Sequence, residues 1–176
     1  IAELLLTIRE HAEWSESAEV TLEANPEDVS IDSAHEWRDA GINRVSLGAQ
    51  TFSPDALAWM HRSHDAAQIG AAVANLRDAG IAQLSLDLIF ALPDTVPREW
   101  SEDLDRALAL RPDHISLYGL TVEPHTPLGR WRDRGELAES PDIRYEHEFL
   151  LAHSRLSAAG FEHYEVSNYA LSGARA

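Results

Sequence analysis

Three polar side chains stand at or near the carboxyl ends of short apolar runs, and an arginine lies between the last two. They are Glu23, Gln50 and Asp87, with Arg62 as the arginine. A ligand site at the carboxyl edge of a parallel sheet explains such residues better than core packing does. Carboxylates can hold a ligand ammonium or ribose hydroxyls, and a guanidinium can bind a carboxylate. The pattern predicts a site for a zwitterionic ligand that carries a sugar.

A second interpretation of these side chains is local. Asp and Gln at strand ends often cap the next helix or satisfy loop amides. This interpretation explains any one of the three residues about as well as a ligand site does. It explains three residues in register less well, so the ligand site is the favoured hypothesis.

The elements that would position these residues follow a repeat. Asp39-Ala40-Gly41-Ile42 recurs as Asp78-Ala79-Gly80-Ile81, and each copy leads through two residues to an apolar run. Each glycine is predicted to end a helix in the left-handed conformation before a strand begins. Looser copies are Arg111-Pro112-Asp113, where proline ends the helix, and Ala159-Gly160-Phe161. The last copy predicts a strand over Tyr164-Glu165-Val166.

Helices are predicted over 31–40, 65–79, 98–110 and 142–159, with Ser53-Pro54 and Asp65 as N-terminal caps. The runs at 84–92 and 115–120 look almost continuously apolar, which is typical of strands covered on both faces. Alternating helices and strands predict an α/β fold of stacked parallel βα units. Four such strands are too few for an eight-stranded barrel, so part of an open barrel or of a doubly wound sheet is expected. Residues 129–141 should depart from the repeat.

The composition of the chain narrows the classes of protein to which it can belong. Fourteen Lys and Arg against thirty Asp and Glu give a net charge of −16, which disfavours binding to nucleic acid. The absence of cysteine excludes disulfides and thiolate-bound metal within these 176 residues, and it suits a cytoplasmic protein. No apolar run is long enough to span a bilayer, and no secretory signal is visible. Because the chain opens inside an amphipathic helix, we expect a fragment.

Other candidate groups are weaker. His61 and His64 have the spacing of a metal-binding pair, but no third ligand is apparent, so no metal site is expected. The turn at 123–127 follows the fourth strand and either contacts substrate or is simply rigid. The five tryptophans, among them Trp131, are expected to be packing residues.

Several ordered segments resemble one known family. They are Thr21-Leu22-Glu23-Ala24-Asn25-Pro26, the stretch from Gly41 to Phe52, the stretch from Asp87 to Pro93, the stretch from Asp113 to Tyr118, and the stretch from Tyr164 to Ala170. Together they resemble the radical S-adenosylmethionine family of oxygen-independent coproporphyrinogen III oxidases and their relatives. The turn at 121–127 and Arg134-Gly135-Glu136-Leu137 are more similar to the heme chaperone branch than to the oxidases.

The resemblance implies a fold and a cofactor site. Residues 1–176 would form part of a radical S-adenosylmethionine core domain, an open (β/α)6 partial barrel. They would span its third to sixth strands with the following helix and strand. The family's S-adenosylmethionine contacts fall on Glu23, Gln50, Arg62 and Asp87. The cysteines that hold the [4Fe-4S] cluster and the segment associated with heme would lie outside these residues. His61 departs from the family, which usually has glycine there.

Three candidate functions are considered, and the resemblance implies the first two. The first is a cytoplasmic heme chaperone that binds heme and delivers it to haemoproteins. The second is an oxygen-independent coproporphyrinogen III oxidase, which decarboxylates propionate side chains of a porphyrinogen. The third is a βα-barrel enzyme that needs no cluster. No catalytic residue and no metal ligand is assigned within this chain, and these residues alone should be inactive because the cluster cysteines are missing.

Overall fold

A computed structural model describes residues 1–15 and 17–176, in which seven α-helices and six strands alternate over most of the chain. In chain order they are α1 (Ala2–His11), β1 (Thr21–Ala24), a 3₁₀ helix (Pro26–Asp28), α2 (Ile31–Ala40), β2 (Arg44–Gln50), α3 (Pro54–Trp59), α4 (Ala66–Ala79), β3 (Gln83–Phe90), α5 (Trp100–Ala109), β4 (His114–Gly119), α6 (Pro127–Asp133), α7 (Asp142–Ala158), β5 (Glu162–His163) and β6 (Asn168–Ala170). Among the described residues, no helix is long and apolar enough to cross a membrane.

The helix boundaries follow local sequence signals. The Asp65 side chain accepts a hydrogen bond from the Gln68 amide, and the Gln68 side-chain oxygen accepts one from the Asp65 amide, which completes a capping box. Gly41 and Gly80 end α2 and α4 with φ of 100° and 87°, a conformation that L side chains rarely adopt. The predicted glycine stops and the Asp65 cap are confirmed. Helices α2, α4, α5 and α7 lie within two residues of their predicted ends.

Four parallel strands form the centre of one mixed sheet with the order β1-β2-β3-β4-β6-β5. Strand β6 joins β4 in the antiparallel direction and pairs with β5 as a short hairpin. The predicted strand over 164–166 is therefore wrong. These residues form the turn of the hairpin, where the Glu165 carboxylate accepts hydrogen bonds from the Ser167 amide and the Asn168 side chain.

The two faces of the parallel strands differ in polarity. Consecutive parallel strands that lie side by side need right-handed crossovers, which put the connecting helices on one face. The side chains toward this face are buried and apolar, and they include Val45, Leu47, Leu84, Leu86, Leu88, Ile115 and Leu117. The register aligns Glu23 with Ser46 and Asp87 with Ser116 on the other face. The predicted cover on both faces holds only in part: Ser85, His114 and Ser116 of the second face are buried, whereas Ser46 and Asp87 line a cleft.

Residues 129–141, which were predicted to depart from the βα repeat, begin within helix α6. The Thr126 hydroxyl accepts a hydrogen bond from the Gly129 amide and starts α6. At Gly129 an added Cβ would lie 2.3 Å from the Glu123 carbonyl oxygen, so the turn before α6 needs a residue without a side chain. Helix α6 thereby stands over the carboxyl end of the sheet.

Candidate functional site

A polar cleft of about 370 Å³ opens at the carboxyl edge of β1, β2 and β3. All four predicted site residues line it. Glu23 lies in β1, Gln50 is the last residue of β2, and Arg62 follows α3. Asp87 lies inside β3, three residues before the strand ends at Phe90, so the predicted strand end is corrected for this residue. Asp87 reaches the cleft because its side chain points to the face that the helices leave open.

The Asp87 carboxylate is largely removed from solvent. The Ser46 hydroxyl lies 2.9 Å from its Oδ1 and 3.1 Å from its Oδ2 and donates to it. Burial raises the pKa of Asp87 above its usual range, although the Ser46 hydrogen bond acts in the opposite direction. The nearby Glu23 carboxylate adds to the rise by repulsion. A cationic or hydroxyl-bearing ligand group would offset both the burial of the Asp87 carboxylate and its repulsion from Glu23.

The Gln50 side chain is placed by an irregular strand end. The register of β2 against β3 shifts between Leu47 and Gln50, and Gln50 has φ of 64°, an unusual value for a residue other than glycine. The Arg62 guanidinium approaches the Gly48 carbonyl oxygen at 3.4 Å. A Cβ at Gly48 would lie 2.8 Å from Gln50 Nε2 and 3.2 Å from an Arg62 Nη. Glycine at position 48 therefore leaves room for both side chains.

The prediction missed several lining residues of the cleft. Ser46 and Gly48 stand two residues apart in β2 and line the cleft, and the alternation of polar and apolar residues in this strand is the signal that would have found them. Asn25 and Asp28 follow β1 and line the same cleft. They were missed because a loop has no periodic pattern that tells where its side chains point.

A second pocket of about 460 Å³ adjoins the polar cleft and shares Gln50 and Arg62 with it. Its other walls are mainly apolar and aromatic, and they comprise Trp59, Met60, His61, Ile89, Leu120, Thr126, Pro127, Leu128 and Trp131. Two residues of the turn at 123–127 belong to this wall. Trp131 also lines it, so this tryptophan is more than the packing residue that was predicted. The apolar pocket can take a flat hydrophobic molecule next to a polar ligand.

The two candidate metal-binding histidines do not converge on a shared site. His64 is buried and its ring is hydrogen-bonded to Glu27, whereas His61 is exposed and lines the apolar pocket. Within residues 1–15 and 17–176, no group of three or more His, Asp or Glu side chains could hold a metal ion. The site consists of a polar cleft beside an apolar pocket.

Comparison with protein families gives one match, to the radical SAM superfamily, over residues 1–107. The chain is also similar to proteins described as heme chaperone HemW. The Mycobacterium tuberculosis protein is 39% identical over 173 residues, which are 98% of this chain and 44% of that protein. The Synechocystis protein is 35% identical over 98% of this chain and 42% of its own length. The chain thus spans less than half the length of the curated relatives that it matches.

A solved structure shows the same fold. The coproporphyrinogen III oxidase HemN from Escherichia coli, described as a radical SAM enzyme, superposes with a TM-score of 0.84 at 24% identity. The match covers 98% of this chain and 39% of HemN. The parallel strands and their helices are thus the mixed α/β partial barrel seen in that enzyme. With the family match covering more than half of its residues, the chain belongs to the radical SAM superfamily.

Proposed function

We propose that this chain supplies the S-adenosylmethionine-binding part of a cytoplasmic heme chaperone. In this proposal, β1 to β4 are the third to sixth strands of the (β/α)6 partial barrel, and residues 1–176 are part of its core domain. The cargo is heme, and its recipients are haemoproteins. The observation that carries the proposal is the polar cleft lined by Glu23, Gln50, Arg62 and Asp87 beside the apolar pocket. The similarity to proteins described as heme chaperones supports the choice of cargo.

The donor set of the cleft fits S-adenosylmethionine. The carboxylates of Glu23 and Asp87 can receive hydrogen bonds from the ligand ammonium or from ribose hydroxyls. Gln50 offers both a donor and an acceptor, and the planar Arg62 guanidinium suits the ligand carboxylate. The two carboxylates also complement the positive sulfonium charge. Gly48 keeps the floor of the cleft open.

The cluster that completes the family's chemistry does not fit these residues. A [4Fe-4S] cluster is held by cysteine thiolates, and this sequence contains no cysteine. In the family, the cluster and S-adenosylmethionine together supply radical chemistry. We therefore assign to this chain only the binding and orientation of S-adenosylmethionine.

The apolar pocket supports heme or a porphyrinogen as the second ligand. Trp59 and Trp131 offer aromatic surface to a flat macrocycle. Arg62 lines both the cleft and the pocket. Its guanidinium can therefore pair either with a propionate of the macrocycle or with the carboxylate of S-adenosylmethionine. A macrocycle in this pocket would lie next to S-adenosylmethionine.

A second candidate function is oxygen-independent coproporphyrinogen III oxidase, because HemN shares the fold over nearly all of this chain. The fold alone does not carry the activity, and the curated relatives named above are heme chaperones. The oxidase therefore stays the alternative. A barrel enzyme without a cluster loses support, since the chain belongs to the radical SAM superfamily.

Two measurements on the natural protein that carries this sequence separate the functions. Heme is titrated into the purified protein while the Soret band is followed, and coproporphyrinogen III is incubated with the reduced protein and S-adenosylmethionine. The chaperone proposal predicts stoichiometric heme binding, weakened at least tenfold in the Trp131→Ala variant, without decarboxylation. Turnover of coproporphyrinogen would contradict it and establish the oxidase.

A further inference from the structure

We infer that His64 and Glu27 are positioning residues of the S-adenosylmethionine cleft, and this inference rests on the proposed function. They connect the 3₁₀ helix that follows β1 to the segment that carries Arg62. Neither residue lines the cleft, so their effect on the ligand would be exerted through Gln50 and Arg62.

The contacts of Glu27 join two walls of the cleft. Glu27 lies in the 3₁₀ helix between Asn25 and Asp28, which both line the cleft. One of its carboxylate oxygens accepts a hydrogen bond from the Ser63 hydroxyl, and the other lies 3.0 Å from His64 Nδ1. Ser63 and His64 directly follow Arg62. The carboxylate of Glu27 therefore ties the β1 side of the cleft to the Arg62 side.

The His64 ring extends the connection to β2. The ring is 3% exposed, and its Nε2 lies 3.3 Å from the Ala49 carbonyl oxygen. That carbonyl belongs to the peptide bond preceding Gln50, the residue with the unusual φ of 64°. His64 thus holds the backbone at the point where the strand turns the Gln50 side chain into the cleft. Residues in such backbone conformations persist where surrounding contacts hold them.

Both ring nitrogens of His64 face an acceptor, a carboxylate on one side and a carbonyl on the other. A neutral imidazole donates from one nitrogen only, whereas an imidazolium donates from both. The ring therefore bridges the Glu27 carboxylate and the Ala49 carbonyl, and the tautomer decides which of the two contacts its N–H group makes. Although partial burial acts to raise the pKa of Glu27, the hydrogen bonds from Ser63 and His64 hold it below its usual range. This agrees with an ionised partner for the ring.

Removal of either His64 or Glu27 should weaken ligand binding in the cleft more than it lowers the stability of the fold. The pair joins the 3₁₀ helix to the segment that follows Arg62 and to the Ala49 carbonyl, next to Gln50. Without the pair, the contact at the Ala49 carbonyl is lost, and the segment that carries Arg62 is no longer bonded to Glu27. We expect at least a tenfold loss of S-adenosylmethionine affinity in His64→Gln and in Glu27→Gln. Because the two residues act through one contact, the double variant should lose little more than either single variant.

The test is isothermal titration calorimetry of S-adenosylmethionine on the natural protein carrying this sequence. His147→Gln and Glu146→Gln, both exposed on α7, are the matched controls. The inference predicts tenfold or greater losses only in the cleft variants, with their unfolding temperatures within a few degrees of the wild type. Wild-type affinity in the His64 and Glu27 variants, or losses that add fully in the double variant, would overturn it while leaving the proposed function standing.

A second readout does not depend on the ligand. Side-chain amide ¹H–¹⁵N spectra of the ligand-free protein report the environment of Gln50, whose side chain lines the cleft. In Glu27→Gln the side-chain amide resonances of Gln50 should shift, whereas in Glu146→Gln they should not. Unchanged Gln50 resonances in Glu27→Gln would overturn the inference. If the wild type fails to bind S-adenosylmethionine, the proposed function fails, and this readout alone decides the inference.

Discussion

The largely buried carboxylate of Asp87 lowers the free energy of unfolding of the ligand-free protein. Burial raises its pKa, so the folded protein binds a proton more tightly at this carboxyl than the unfolded chain does. The free energy of unfolding should therefore fall as the pH rises from the ordinary aspartate pKa through the raised one. We expect Asp87→Asn to remove this slope and to stabilise the ligand-free protein by about 1 kcal/mol at neutral pH.

Urea unfolding at several pH values measures this effect. The control is Asp78→Asn, which changes an exposed carboxylate at the end of α4 and should leave the pH slope in place. The Asp87 variant should also bind S-adenosylmethionine at least tenfold more weakly. A variant that is less stable than the wild type at neutral pH would contradict the assignment of Asp87 as a functional carboxylate held at a cost.

Gly48 gives a second residue-scale prediction. A Cβ at this position would approach the far ends of the Gln50 and Arg62 side chains, which can move at low cost. Gly48→Ala should therefore change the free energy of unfolding by less than about 1 kcal/mol. The displaced side chains should lower S-adenosylmethionine affinity about tenfold or more. Calorimetry and urea unfolding give the two quantities.

Gly70→Ala is the matched control for this substitution. A Cβ at Gly70 meets no atom within 4 Å, and alanine favours a helix interior. The control should therefore gain up to about 1 kcal/mol of stability and keep its affinity. Unchanged ligand affinity in Gly48→Ala would show that Gln50 and Arg62 do not contact the ligand as proposed.

The residues of the cleft could be predicted only in part. Glu23, Gln50 and Asp87 stand out because a polar residue interrupts an apolar run, and a strand places such residues in a calculable direction. Asn25 and Asp28 have no comparable signal, since a loop sets their direction. The Glu27–His64 pair was also missed, because a contact between residues 37 positions apart depends on how two loops meet.

Among the secondary-structure elements, α7 is joined to the end of β3 by a buried charge network. Glu148 on α7 accepts hydrogen bonds from the Ala91 amide at 2.7 Å and from Arg98 at 2.5 Å. Arg98 also donates to the Ile89 carbonyl oxygen, next to the apolar pocket. Burial acts to raise the pKa of Glu148, but the Arg98 charge and these hydrogen bonds hold it below its usual range.

Breaking this network should be costly. Glu148→Ala removes the nearest carboxylate from the buried Arg98 side chain and leaves it only Asp103, at 3.8 Å, so we expect a loss of about 3 to 5 kcal/mol in the free energy of unfolding. Glu146→Ala, an exposed neighbour on the same helix, should change it by less than about 0.5 kcal/mol. Urea unfolding of both variants tests this difference. Equal stability of the two variants would contradict a structural role for the network.

Elements whose ends are set by local sequence signals could be predicted, whereas elements set by long-range strand pairing could not. Gly41, Gly80 and Asp65 act on their own neighbours, so the helix boundaries follow from the sequence. The β5–β6 hairpin was missed because β6 is positioned by antiparallel pairing with β4, about fifty residues away in the chain. The one-sided coverage of the sheet likewise depends on the handedness of all the crossovers together.

The molecule as a whole presents surfaces that favour association. In the part of the chain that the structure describes, β1 pairs only with β2, which leaves one edge of a parallel strand unpaired. Helix α1 exposes 64% of Leu4 and 58% of Leu6. The net charge of −16 opposes self-association, and salt screens this repulsion. These 176 residues on their own should therefore associate as concentration and salt increase.

Size-exclusion chromatography with light scattering measures this association. Leu4→Glu with Leu6→Glu should reduce it, because the two changes remove the apolar surface and add charge. The Ile31→Glu variant is the control, since Ile31 is a partly exposed apolar residue at the start of α2. A monodisperse monomer at every concentration and salt level would contradict the prediction.

The fold and the cleft together make one central claim, that this part of a radical SAM protein binds S-adenosylmethionine at the carboxyl edge of its sheet. The most direct test is a crystal structure of the natural protein carrying this sequence with S-adenosylmethionine bound. The claim predicts the ligand within hydrogen-bonding distance of Glu23, Gln50, Arg62 and Asp87. A ligand bound elsewhere, with the cleft filled by water, would contradict it.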